Sequence, residues 1–192
     1  HKEYRRQRQM CIRDREIHIE DIAHALGNMC RFSGHTTEFY SVGEHSWRVS
    51  FRVEVLLFAR RPDLDTHEVA LGSLAGLLHD GSEAYIVDVP RPLKRLPSFD
   101  AYRRHEKHLQ GLIYEAFGVR ITDDLHDLIH QADEELLATE KRDLMPARAW
   151  NDEPVRAWAA LPPPLQEKIV PWQPRFARER FLARFHQLKE HL

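Results

Sequence analysis

Apolar residues recur along this chain at intervals of three and four, and proline or glycine interrupts them between segments. In "IHIEDIAHALGNMCRF", Ile19, Ile22, Ala23 and Leu26 share one helical face, and Gly27-Asn28 is a usual stop. "SGHTTEFY" has no such period and reads as a loop. Ser41 suits an N-cap, with Glu44 three residues on as in a capping box, and the helix that follows runs to the break at Pro62-Asp63. Thr66 is the expected cap of a third helix, with Glu68 in its first turn. That helix, "HEVALGSLAGLLHD", carries Val69, Ala70, Leu74, Leu77 and Leu78 and is apolar almost all round, which predicts a place at the centre of the fold. It is expected to end at His79-Asp80, with Glu83 one turn beyond His79 on the same face. "VDVPRPLKRLPS" reads as a proline-rich loop. Two amphipathic helices follow, one stopping at Gly118 and one running from a Thr122 cap to Pro146. After Pro162 to Pro164 a last helix is expected from about Arg175. Neither strand alternation nor a glycine-rich phosphate loop interrupts this series, so the predicted class is all-α.

Composition changes this picture little. A chain of 192 residues suffices for one domain with a real core. Its 28 basic and 30 acidic residues nearly cancel, so no stable nucleic-acid partner is expected of the chain as a whole. Residues 1–15, "HKEYRRQRQMCIRDR", are basic and aperiodic; they read as a disordered or non-native lead, with a single domain over 16–192. A basic arm that touches nucleic acid is the sharper alternative for that lead. Cys11 and Cys30 form neither a disulfide framework nor a CxxC pair, which fits a reducing cytoplasm. No apolar run reaches the length of a membrane span, and no apolar signal core opens the chain, so no membrane partner is expected.

The chemistry lies in polar residues on apolar faces. His45 follows Val42 by three and precedes Val49 by four. Asp133 has Ile129 before it and Leu136-Leu137 after it, which puts a carboxylate on a core-facing stripe. His79 and Asp80 end the most apolar segment. A buried charge needs a partner or a metal. Each residue alone also reads as a satisfied core histidine or a salt-bridge partner. Together they place two imidazoles and two carboxylates on three predicted helices, a nitrogen and oxygen donor set suited to zinc, manganese, iron, cobalt or magnesium.

On "EHS", "LLHDGSEAYIVDVPRPLK" and "QADE" the chain resembles the HD-domain phosphohydrolases. The ordered His, His-Asp, Asp pattern of that family falls on His45, His79, Asp80 and Asp133. Within it the chain is similar to the bacterial 5'-deoxynucleotidases, whose Arg-Trp, EHS, HDxSE and GDxPxPxK pieces match Arg31-Phe32, Glu44-His45-Ser46, His79 to Glu83 and Asp88 to Lys94. The opening "IEDIAHAL", "CRF" and "FYSV" also resembles phage-borne relatives, among them dATP triphosphohydrolases. The likeness covers about Ile17 to Met145. Phe32 departs from the family's tryptophan, which bears on sugar or base contacts. Val87 departs from its glycine and is expected to change the loop's backbone, because valine resists positive φ.

The resemblance implies an all-α HD-domain bundle and a divalent metal ion (zinc, manganese, cobalt or magnesium) held by His45, His79, Asp80 and Asp133. It implies hydrolysis of a purine 2'-deoxynucleotide, a dATP-like triphosphate first and a monophosphate as the alternative. Glu83 is then the general acid/base or, failing that, a carboxylate that orients His79. Arg31 and Lys94 are expected on phosphate, Asp88 on sugar or in shaping its loop, and Phe32 against the nucleoside. A non-catalytic nucleotide-binding HD module is the remaining class. Relatives of this kind self-associate, so a homo-oligomer in the cytoplasm, whether a bacterium's own or that of a phage-infected host, is expected.

Overall fold

The computed structural model describes residues 17–146 and 160–192, and the basic lead 1–15 and residue 16 lie outside them. Every regular element among the described residues is helical: α1 Ile19–Asn28, α2 Val42–Arg60, α3 Thr66–Leu77, α4 Glu83–Ile86, α5 Arg91–Lys94, α6 Asp100–Ala116, α7 Asp123–Leu144 and α8 Pro174–Lys189, with short 3-10 turns at Arg31–Gly34 and Pro97–Phe99. An isolated antiparallel bridge between Cys30 and Ser41 closes the loop between α1 and α2. No helix among the described residues is long and apolar enough to cross a membrane.

The predicted helices form largely where the apolar period placed them. Ser41 caps α2 by accepting from Glu44 N at 3.0 Å. The box is only half closed, because the Glu44 carboxylate turns inward to Arg48 and to Trp172 N at 2.7 Å. The complete capping box belongs to α3, and its N-cap is Asp65 rather than Thr66, which is the first helical residue. Asp65 outcompetes its neighbour because its carboxylate reaches Glu68 N while Glu68 reaches back to Asp65 N. Gly118, at φ 75°, ends α6 in the left-handed conformation that glycine adopts without strain.

The core gathers Ile22, Leu26, Val49, Val53, Leu74, Leu77, Leu78, Ile113, Ala132 and Phe181, all but inaccessible to water. α3 is buried along most of its length, yet the helix packed against the greatest number of neighbours is α2, which touches α1, α3, α7 and α8. Glycine makes the α2–α3 approach possible: a Cβ on Gly72 would fall 2.6 Å from Leu57 Cδ1, and one on Gly76 would fall 3.0 Å from Val53 Cγ2. α8 closes the other side and rests on α1, α2 and α3.

Two expectations about the segment after α3 are corrected. The helix stops at Leu77, and residues 78–82 form a turn, in which Gly81 N donates to Leu78 O at 2.8 Å. His79 and Asp80 therefore sit on this turn, and Glu83 opens the separate helix α4 instead of continuing the same face. The proline-rich stretch is not plain loop either, since Arg91–Lys94 makes one helical turn. Proline inside a first turn loses no helical hydrogen bond, so Pro92 is compatible with it.

Candidate metal centre

Three elements converge on the turn after α3. α2 contributes His45 from its first turn, α7 contributes Asp133 from its middle, and the turn itself carries His79 and Asp80. The turn is clamped from outside by Gln110 of α6, whose amide nitrogen donates to Leu78 O at 2.7 Å and whose carbonyl accepts from Ser82 N at 3.0 Å. Ligand atoms of His45, His79 and Asp80 all lie within 4.8 Å of one another. Asp133 reaches this group through Oδ1, 3.2 Å from His45 Nε2, while its Oδ2 accepts from Arg91.

Both imidazoles present the same atom. The His79 Nδ1 lies 2.8 Å from Gly76 O, and a carbonyl can only accept, so Nδ1 carries the proton. The His45 Nδ1 lies 2.6 Å from Oε1 of Glu140, a carboxylate with no exposure to water. Both Nε2 atoms are buried without an aligned hydrogen bond, although Asp133 Oδ1 lies 3.2 Å from His45 Nε2, and Asp80 Oδ2 lies 3.2 Å from His79 Nε2 and 3.8 Å from His45 Nε2. An anchored Nδ1 and an unsatisfied, inward Nε2 are what a metal-ligating histidine needs. These residues therefore fit a divalent cation on an observation independent of any likeness.

Without an ion, the charges of the centre are held by one another. Burial would raise the Asp80 carboxyl, but His79, His45 and Arg31 hold it far below the usual carboxylate range. Asp133 behaves likewise, with His45 and Arg91 overcoming its burial. For His45, burial and Arg31 act downward, and Glu140 and Asp133 overcome both and raise it to about 9. Glu83 moves the other way: burial, then Asp80 and Asp88, push its carboxyl up to about 9 against Lys94 and Arg31. One Glu83 oxygen is 3.3 Å from Lys94 Nζ, and the other is buried without a hydrogen-bond partner.

The remaining predicted residues border this centre. Arg31 is buried and splits its guanidinium between Glu140 at 3.2 Å, Asp80 at 3.5 Å and Asp133 at 4.0 Å. Phe32 lies beside it, with its ring centroid 5.2 Å from the Arg31 guanidinium carbon. Phe32 and Ser33 have φ near 55°, and Gly34 follows at 80°, so the chain reverses immediately after Arg31. Lys94 also donates to Glu106 at 2.6 Å. Asp88 is half-buried and close enough to act on Glu83. Val87, expected to refuse positive φ, adopts φ 74° and ψ 146°. The loop keeps the glycine-like conformation, and Tyr102 fixes it by donating to Val87 O at 2.6 Å.

Two buried residues of the site escaped the sequence reading. Glu140 stands seven residues after Asp133, two turns along the same face, but it falls in the run "ATEKRD", which reads as solvated. The signal was its register with Ile129, Ala132 and Leu136. Glu44 was read as half of a capping box and as the first residue of "EHS" but not as buried, and its full burial is explained by Arg48 and Trp172.

No family model matches the chain. An uncharacterized protein of Rhodobacter capsulatus is 40% identical over 106 residues, which span 54% of this chain and 50% of that protein. The uncharacterized protein YfdR of Escherichia coli is 34% identical over 178 residues, which span 91% of this chain and 86% of YfdR. The chain therefore belongs to the family of YfdR.

Proposed function

We infer that the protein is a metal-dependent phosphohydrolase of the HD type that acts on a purine 2'-deoxynucleotide, releasing nucleoside and triphosphate from a dATP-like substrate. The observation that carries this reading is the pair of inward Nε2 atoms of His45 and His79, facing Asp80 with no aligned partner of their own. His45, His79 and Asp80 would hold the ion, with Asp133 beside them once it parts from Arg91. A divalent ion there supplies Lewis-acid polarisation of a phosphoryl oxygen and activation of water.

The chain's own residues supply the rest. Glu83, held neutral at pH 7 by burial and by its acidic neighbours, gives its proton to the leaving oxygen and is left as a carboxylate beside Lys94. Lys94, 3.3 Å from Glu83, sits where it can meet a phosphate and stabilise the ionised form of Glu83. Arg31 offers a planar pair of donors beside Asp80. Phe32 stands next to that guanidinium, where a base or sugar would pack. Tyr102 donates to Val87 O and so fixes the loop that carries Asp88.

The monophosphate alternative has one observation in its favour. Arg91 and Lys94, two cations a triphosphate would recruit, are engaged by Asp133 and by Glu83 with Glu106. Incubation of dATP and dAMP with purified protein and added manganese, zinc or magnesium separates the readings by product. Triphosphate and deoxyadenosine from dATP are expected. Inorganic phosphate from dAMP alone selects the monophosphate reading, and equal turnover in EDTA overturns the metal mechanism. No metal-dependent turnover of any nucleotide, with tight nucleotide binding, leaves the non-catalytic module.

A further inference from the structure

Glu140 is wholly buried and has no part in the chemistry above. Its two oxygens serve different partners: Oε1 faces His45 Nδ1 at 2.6 Å, and Oε2 accepts from Arg31 at 3.2 Å. Tyr40, also wholly buried, lies close against the same carboxylate. Glu140 comes from α7 and His45 from α2, and Arg31 belongs to the turn between α1 and α2, so one side chain ties three segments.

The two histidines are anchored differently. His79 leans on a backbone carbonyl, which no substitution removes. His45 leans on a side chain. A carboxylate oxygen accepts and cannot donate, so it keeps a proton on Nδ1 and leaves Nε2, which faces Asp133 and Asp80, as the nitrogen that yields its proton to an ion. The other oxygen holds the guanidinium whose second arm lies 3.5 Å from Asp80. Only a group with two acceptor oxygens can hold both partners; an amide of the same shape has one.

We propose that Glu140 is a positioning residue that fixes His45 toward the metal ion and Arg31 toward the substrate phosphate at the same time. The proposal rests on the metal-site reading of His45, His79 and Asp80.

The test titrates zinc by calorimetry into wild-type protein and into Glu140→Gln and Glu140→Asp, and records the imidazole nitrogens of each by long-range proton–nitrogen NMR. Glu140→Gln is expected to bind zinc ~10–100-fold more weakly, in the range seen for loss of an outer-shell partner. It is also expected to lose the strongly hydrogen-bonded Nδ1 proton of His45, while Glu140→Asp recovers part of both. Calorimetry on folded protein reads affinity directly, so a fall in melting temperature does not imitate the effect. Equal zinc affinity in wild type and Glu140→Gln overturns the proposal. If Glu140→Gln does not fold, the wild-type spectrum decides: zinc on Nε2 of His45 with Nδ1 protonated supports it, and zinc on Nδ1 overturns it. Wild-type protein that binds no zinc, manganese or cobalt defeats the metal-site reading and the proposal with it, an outcome distinct from equal binding by both proteins.

Discussion

The two walls of the candidate site are built on opposite plans. On the α2–α7 wall, His45 and Glu140 are inaccessible to water, Arg31 is buried, and each charge meets an opposite charge. On the α3–α5 wall, Asp80 keeps about a fifth of its side chain exposed, Lys94 a similar share, and Val87 is strained and more than half exposed. The first wall is a preorganised mount, because moving any member strands a buried charge. The second is more open at Asp80, Lys94 and Val87, although Glu83 within it is buried. The candidate metal group draws on both walls, His45 from the rigid one and Asp80 from the more open one.

The hardest blow to this pairing of walls is Asp80→Ala, which removes the one carboxylate facing both Nε2 atoms. Hydrolysis should fall roughly a thousandfold or more, since a Lewis acid is worth several kcal/mol, and zinc binding measured by calorimetry should collapse with it. Glu83→Gln separates proton transfer from metal binding. Turnover should drop roughly 10²–10⁴-fold, as for a lost acid/base group, while zinc affinity, set by His45, His79 and Asp80, stays near wild type. Loss of zinc affinity in that variant would make Glu83 a ligand and erase the distinction.

The pH dependence tests both walls together. The His45 folded value, about 9, lies above its ordinary 6.5, so its stabilisation is complete below 6.5 and is lost as pH rises through 9. Glu83 is raised from 4.5 to about 9, so its neutral form favours the fold at low pH and that advantage also fades as pH climbs toward 9. Asp80 and Asp133 are both held below their ordinary values; their contribution is present above pH 3.8 and constant over this window. Melting temperature in EDTA is therefore expected to fall between pH 6.5 and 9. Zinc should flatten that fall, because it favours neutral His45 and competes with its proton. A melting temperature in EDTA that rises over the same window would contradict the assigned charges.

The smallest expected effect is on the strained loop. A β-branched residue at φ 74° costs about 1–3 kcal/mol, and glycine returns part of that as unfolded-state entropy. Val87→Gly should stabilise the protein by about 1 kcal/mol, roughly 2–4 °C in melting temperature for a chain of this size. No gain would mean that Tyr102 and its neighbours hold the loop without strain.

The sequence carried much of this, unevenly. Helices α1, α2, α6, α7 and α8 were legible because each has a long apolar period and a terminal signal such as Ser41, Gly118 or Thr122. The junction after Leu77 was not, because "GLLHDGSEAY" stays apolar enough to imitate a continuing helix while Gly81 folds it into a turn. His45, His79 and Asp80 were legible as polar residues out of place on apolar faces. Glu140 was hidden by its charged neighbours, since only the packing of α7 on α2 shows which member of "ATEKRD" faces inward. Gln110, which clamps the turn, left no sequence signal, because a glutamine on an amphipathic helix is ordinary surface until its partners are known.

X-ray absorption on protein loaded with one equivalent of zinc tests the metal centre most directly. Two imidazole nitrogens at about 2.0–2.1 Å with oxygen completing the shell are expected, and Asp80→Ala should abolish the spectrum. A zinc ion without imidazole scattering, or one bound through sulfur at Cys30, would contradict a site built on His45, His79 and Asp80.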